Sequence, residues 1–526
     1  MKKQLISLFL LLALTTTVQA AKADISATAL PELSGAVNGS VTTSGAKMDV
    51  KTNAGTGTVS QFDWSTFNVG KDAQVNWVFN GHSQTSINRV LDTNMSQIYG
   101  KLTSSCGAAG CGYNTTSKVI LINPNGLLFG NGSSVNLNSF TAATNDIVGI
   151  KNIKGMTSSE LTDYGKYVNN NYTYNKTISF RGSESAPGSK IELNNSKWDV
   201  DKSVAILAKD IKIKDSAIRT TLGYNGKTLD ENGNTVDGSF SNVRLITSNG
   251  ADFYYVSNGD LPKAGIKSAV NKTTKYNMDV DNSEITSGYV SAYNNGENLD
   301  SNINIKNSVI KGTKLVRGES GDIIIAANSK VNVDKSQLLT QNSSQSGAKD
   351  KATGKVSITG GQEVNVVNGS KIATAETTAS DPLNPVLLKS PYGNVNVKNS
   401  DINSAGELAA YANNTLFENS ALNYNKSDLY KEGQVNNVTV KGTTTITDRS
   451  SDKLVLETNG NLTLDNATVR KYQSTSNNQK AIDLISAKDV NIINASDVTA
   501  TTGAITANAA NNVNVINSKL TAKTTN

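Results

Sequence analysis

One histidine, two cysteines and seven prolines stand in 526 residues. The histidine is His82, in "FNGHSQTS". With one histidine, Ser–His–acid and Cys–His nucleophile systems have almost no material, and a lone loop histidine reads as a surface side chain. The cysteines, Cys106 and Cys111, have four residues between them and no histidine nearby. That is a poor zinc shell, so no metal and no cofactor are expected. The net charge is +6, and no basic run or basic–aromatic cluster occurs. This argues against nucleic acid as a partner and leaves the charges as a solvated surface. Beyond the N-terminus no apolar run approaches the length of a membrane-spanning helix.

The chain opens "MKKQLISLFLLLALTTTVQAAKADIS". Lys2 and Lys3, an apolar run from Leu5 to Leu14 and small residues after it form a secretory signal peptide. Residues 1–20 are assigned to it, with cleavage between Ala20 and Ala21; Ala21-Lys22-Ala23 offers a second cut. A secreted chain meets an oxidising compartment. Cys106 and Cys111 are therefore expected to pair across the glycine-rich loop "SSCGAAGCGYN".

Glycine, asparagine, serine and threonine are abundant, a composition shared by disordered chains and all-β repeats. One recurring phrase selects the repeat. It reads "IELNNSKW" at 191, "IKIKDSAI" at 211, "MDVDNSEI" at 278, "INIKNSVI" at 303 and "VNVDKSQL" at 331, and returns down to "VNVINSKL" at 513. Two apolar residues alternate with polar ones, as in a half-buried strand. An Asn-Ser or Asp-Ser pair then suits a turn, because Asn and Asp tolerate positive φ. A further apolar residue starts the next strand. Another short strand precedes many copies, as in "GDIIIAA" at 321 and "KLVLET" at 453.

A period of this kind denotes a solenoid. The expected fold is all-β, a right-handed parallel β-helix with about three short strands per coil. Asparagines at one corner of successive coils are expected to stack as an amide ladder. The gap between 211 and 278 has room for two degenerate copies. Residues 222–242, 343–353 and 380–393 read as loops leaving the coil.

Residues 24 to about 190 lack the phrase. They hold "WSTFNVGKDAQVNWVFNG", "SINRVLDTNMSQIYGKL" and "KVILINPNGLLFGNGSSVNLNSFTAATNDI" in order. This string resembles the secretion domain of two-partner secretion exoproteins, which include filamentous haemagglutinin-type proteins and high-molecular-weight adhesins of Gram-negative bacteria. The resemblance covers residues 62–146. It includes Trp64, Phe67, Asn68, Asn88-Arg89-Val90, Ser96-Gln97-Ile98 and Asn123-Pro124-Asn125-Gly126. It implies a capped β-helix secretion domain within 21–250, and the recurring phrase makes 251–526 a β-helix repeat region. It further implies recognition of residues about 24–250 by an outer-membrane β-barrel transporter with periplasmic recognition domains, and passage through the periplasm to the cell surface. Asn88, Arg89, Val90 and Asn123 to Gly126 are then the secretion-motif residues. Two departures stand out: no Asn-Pro-Asn-Leu precedes the Asn-Pro-Asn-Gly, and "TSSCGAAGCGYNTTS" is inserted where the family has a tight turn.

Within that resemblance the expected activity is adhesion by a monomeric rod to a host-cell, matrix or glycan receptor, without catalysis. The stalk or truncated remnant of a longer toxin-delivery exoprotein is a second reading, and the chain stops without an atypical terminal coil. A β-helical polysaccharide lyase or hydrolase is a third. It would need paired carboxylates, for which "DVD" at 199–201 and 279–281 is the material. Asn-Pro-Asn-Gly itself suits a type I turn at a coil corner, with Pro124 supplying its fixed φ. Asn-X-Ser/Thr sequons such as Asn114, Asn425 and Asn466 are frequent, and some members of the resembled branch are glycosylated there.

Overall fold

The computed structural model describes residues 25–523 apart from 56, 108–116, 173–175, 183–188, 221–226, 230–234, 238–240, 255–264, 267–274, 297, 315–320, 343–353, 376–385, 429–435, 451–452 and 473–479. The signal peptide and its cleavage site, the 343–353 segment and Asn114 lie outside the described residues.

The repeated phrase folds as one coil with three faces. Asn302–Lys306, Val309–Lys314 and Ile323–Ala327 are three consecutive strands. Each pairs in parallel with the coil before and the coil after: Ile303 lies between Met278 and Val331, Ile310 between Ile285 and Leu338, Ile325 between Ala292 and Ile358. Alternate residues point inward, so Ile303, Ile305, Ile310, Ile323 and Ile325 are buried in one continuous core. This is a parallel β-helix.

The Asn-Ser corner has a specific structure. Asn195, Asp215, Asn282, Asn307, Asn399, Asn419 and Asn517 occupy the left-handed region with φ between 47° and 50°; asparagine and aspartate reach it at low cost. The serine that follows points inward. The hydroxyl of Ser308 accepts the Ser283 N–H at 3.1 Å, Ser336 that of Ser308 at 3.1 Å, and Ser370 that of Ser336 at 3.2 Å. Corner N–H groups have no strand partner and cannot be buried unpaired. Each serine therefore caps its neighbour's turn. At the corner itself the Asn282 amide donates to Asp215 at 2.6 Å, and a longer amide ladder forms mid-strand. Asn332 donates to Asn304 at 2.8 Å, Asn365 to Asn332 at 2.8 Å and Asn396 to Asn365 at 2.9 Å.

Two sequence expectations change. The strand Asp210–Lys214 pairs directly with Asn277–Asp281, so the gap between them holds no extra coils. It is one long coil whose third strand is Asn242–Thr247, and its Gly250–Tyr254 and Gly265–Ile266 pair outside the helix. Of 380–393, the part from Val386 is not a loop. Val386–Lys398 is a strand on two faces, with a register break between Ser390 and Asn394. Pro391 sits in that break, where no ladder N–H is required.

At the N-terminal end Glu32–Val37 runs antiparallel to Val59–Thr66, and Gly39–Ser44 antiparallel to Lys47–Thr52. These strands close the first coil and remove its open edge. Outside the helix an antiparallel sheet assembles from Asp146–Ile147, Thr177–Arg181, Gly250–Tyr254 and Gly265–Ile266. It is accompanied by α1 (Ser158–Tyr172). The expectation of purely β structure did not include this helix. Together they bury a second apolar cluster against one face of the coils. Val59, Ile87, Ile120, Ile122 and Leu207 meet Ile147, Ile153, Tyr164, Val168, Phe180 and Phe253. Lys118–Ile122 is consequently buried on both faces, which is why "KVILI" reads as an unbroken apolar run.

Candidate export-recognition region

Asn123-Pro124-Asn125-Gly126 forms the corner between Lys118–Ile122 and Leu127–Phe129. The Gly126 N–H donates to the Asn123 carbonyl at 3.0 Å, closing the turn. The Asn125 N–H donates to the Asn123 side-chain oxygen at 2.9 Å. Gly126 has φ +114°, a value that favours glycine. Asn123 is fully buried, and its amide donates to the Asn94 carbonyl and to Ser96 Oγ, both at 2.9 Å. Asn125 donates to the Asp92 carbonyl at 2.7 Å. Both asparagines therefore tie their corner to the preceding coil.

Asn88 and Arg89 point to opposite sides of one strand. Asn88 faces the interior, fully buried, and its oxygen accepts the indole N–H groups of Trp64 and Trp77, each at 3.3 Å. Its amide donates to Ser86 and to the Ile120 carbonyl. Arg89 faces the extra-helical layer. Its guanidinium grips Asp146 through Nε at 3.0 Å and a terminal nitrogen at 2.7 Å, donates to the Lys151 carbonyl at 3.1 Å, and lies 3.7 Å from Asp63. Asp63 is fully buried and accepts from Gln61 and from the Ile153 N–H. Burial pushes the Asp63 carboxyl above its ordinary range, against the lowering effect of those bonds and of Arg89. Val90 is buried in the main core.

Arg89 thus locks the segment 146–153, and α1 follows that segment. The helix starts at a reciprocal cap: Thr157 N–H donates to the Glu160 carboxylate at 2.7 Å, and Glu160 N–H to Thr157 Oγ1 at 3.3 Å. It docks through Tyr164, which accepts the Lys151 N–H at 2.7 Å and donates to Gln61 at 3.0 Å. Asn169 accepts the Val59 N–H at 2.7 Å. The sequence signal for this helix is "TSSE", a capping box.

The other candidate residues do not join this region. Cys106 ends the strand Lys101–Cys106 and is disulfide-bonded; Cys111 lies outside the described residues. The His82 carbonyl accepts the Gly57 N–H. Asp199 pairs with Lys197 at 2.9 Å, and Asp201 accepts from Asn138 at 2.9 Å. Burial raises the Asp201 carboxyl to about 6. Asp279 accepts from Asn304 and Asp281 from Asn307, on a different face from Asp199. The two "DVD" pairs lie apart, and Asp201, Asp279 and Asp281 each accept from an asparagine of a neighbouring coil. Among the described residues no cluster of three or more His, Cys, Asp or Glu could hold a metal ion.

A parallel β-helix, sealed at its N-terminal end and clasped on one face by a sheet-and-helix layer, is the class that this fold defines. Residues 27–314 match the family of TPS (two-partner secretion) secretion domains, which is more than half of the 526-residue chain. The chain belongs to this family and is a two-partner secretion exoprotein. It is similar to a heme/hemopexin-binding protein of Haemophilus influenzae strain Rd, 32% identical over 148 residues, covering 28% of this chain and 14% of the relative. A second heme/hemopexin-binding protein from that species is 33% identical over 88 residues, covering 17% of this chain and 8% of the relative. The matched segments thus span a small part of the relatives' own length. The secretion domain of the HMW1 protein from Haemophilus influenzae aligns over 93% of this chain and 99% of its own, at 14% identity and a TM-score of 0.41.

Proposed function

We propose that residues about 24–250 address the chain to a dedicated outer-membrane β-barrel transporter with periplasmic recognition domains. The chain leaves through that pore and acts outside the cell as an adhesin-like rod. The match to secretion domains over 27–314 carries this reading. The burial of Asn88 and Asn123 bears on how the address is read. Side chains sealed under a finished coil are out of reach of a partner, so the transporter reads them before the coil closes. Passage as an extended chain is compatible with the small loop that a Cys106–Cys111 bond would close. Outside, each coil docks on the one before, because solenoid stability is a sum of neighbour contacts.

Adhesion to a host-cell, matrix or glycan receptor is the activity assigned to the exported rod. Its support is the run of parallel strands after residue 277, whose outward-facing positions reach solvent.

Export is tested at Asn125, which is only half-buried. Asn125→Ala is co-expressed with the transporter, and the secreted and periplasmic fractions are measured beside the melting point of the purified protein. The expected result is retention in the periplasm with a small loss of stability. A variant that melts much earlier yet reaches the medium in full would make the motif a folding element alone. Binding of the purified rod to cell monolayers and glycan arrays tests adhesion, and absence of binding to both removes it.

A further inference from the structure

Two charged side chains are sealed inside the later coils. Asp448 and Lys471 are both 0% exposed. They are direct partners across the parallel strands Thr445–Asp448 and Thr468–Lys471, with Nζ 3.4 Å from Oδ1. Ser450 positions both. Its backbone N–H donates to Asp448 Oδ1 at 2.7 Å, and the Lys471 ammonium donates to its carbonyl and, at 3.2 Å, to its hydroxyl. Asp448 Oδ2 is buried and accepts no hydrogen bond among the described residues.

A stable buried ion pair repays its desolvation only when the remaining lone pairs are satisfied. Here one carboxylate oxygen is held and the other is left bare in an apolar core. We propose that Lys471 and Asp448 condense into an intramolecular isopeptide bond once the coils have closed. In the step the ammonium gives a proton to the bare oxygen Oδ2, leaving a neutral amine and a carboxylic acid. The amine lone pair attacks the side-chain carbonyl carbon and forms the C–N bond. The developing negative charge on Oδ1 falls on the Ser450 N–H, a preorganised donor of the oxyanion-hole kind. The C–Oδ2 bond breaks, Oδ2 takes a second proton from the nitrogen, and one water leaves. No oxidant or reductant is consumed. Packing supplies the proximity that an intermolecular condensation lacks, and replacing two buried charges by a neutral amide removes their desolvation cost. The geometry exists only in the folded core, so the bond cannot obstruct export of an extended chain.

The test is peptide mapping by mass spectrometry of the secreted, folded protein after thiol reduction. The expected result is a branched peptide joining Asp448 to Lys471, lighter than its two linear parts by one water. Lys471→Met yields only linear peptides. Asp448→Asn gives the same branched peptide by releasing ammonia. Finding both wild-type peptides linear and at full mass after prolonged incubation overturns the proposal, and so does a water loss that maps to any other site. The wild-type reading is independent of whether either variant folds.

Discussion

The coils before residue 210 and those after 277 share one architecture and are held by different means. All three tryptophans, Trp64, Trp77 and Trp198, are fully buried in the early coils. Phe62, Phe67, Phe129 and Phe140 surround them, and Trp198 meets Phe129 and Phe140 edge-on at 4.7 and 5.1 Å. Beside a short polar ladder through Asp49, Asn76 and Ser105, these coils have single long-range polar contacts: Asn88 between two indoles, Arg89 across to Asp146. The later coils use mainly Val, Ile and Leu, with Phe417 and Tyr424 as buried aromatic exceptions, and they repeat one corner and one ladder. A contact made once cannot be replaced by a neighbour, whereas a rung of a ladder has copies above and below it. The region proposed to carry the export address is thus also the one whose fold depends on particular residues.

Substitutions at three positions sharpen this contrast. The largest effect is expected for Trp198→Ala, which removes a large side chain from an aromatic cluster together with the indole N–H that Ser196 Oγ accepts at 3.0 Å. The expected cost is about 3–5 kcal/mol. Urea unfolding followed by fluorescence reads it cleanly, since every tryptophan sits in the early coils. Arg89→Ala comes next, at about 3 kcal/mol, because it leaves the fully buried Asp63 without its nearby cation and cuts the clasp to Asp146. Hydrogen exchange of the α1 amides should accelerate, while exchange in the later coils stays unchanged. Arg89→Lys should recover only part of this, having no fork for Asp146. The smallest effect belongs to Asn332→Ala in the ladder, about 1 kcal/mol, seen as a minor shift in the midpoint of the later coils. A cost equal to that of Arg89→Ala would mean that the ladder is as unforgiving as the clasp.

The repeat was legible because strand alternation and the Asn-Ser corner are local, and recur wherever the coil turns. That a buried serine line also links one corner to the next was hidden in the same phrase. Which side chain points inward depends on the positive φ of the residue before it. The extra-helical sheet was not legible. Its strands come from about residues 146, 178, 252 and 265 and pair only after the coils have brought them together. The helix α1 is largely polar, and only four of its residues, Tyr164, Gly165, Val168 and Tyr172, are buried, so its apolar stripe is too thin to show beside so many strands. Its capping box at Thr157 and Glu160 was the one signal present. Motif residues were visible as a string, but their roles were not. Asn88 and Arg89 are adjacent in sequence and serve the interior and the outer layer respectively, as alternation along a strand requires.

The corner at Asn282, Asn307, Asn399 and Asn419 has a consequence for inheritance. Because φ at these four positions agrees within two degrees, the chain leaves each corner in nearly the same direction. A gene segment cut at one asparagine and rejoined at another would encode a rod with a whole coil gained or lost, with the serine line running through the junction. Unequal recombination between copies of the phrase can therefore change the reach of the molecule in steps of one strand spacing, about 4.8 Å. The early coils, with their unique aromatic and charged contacts, admit no such exchange.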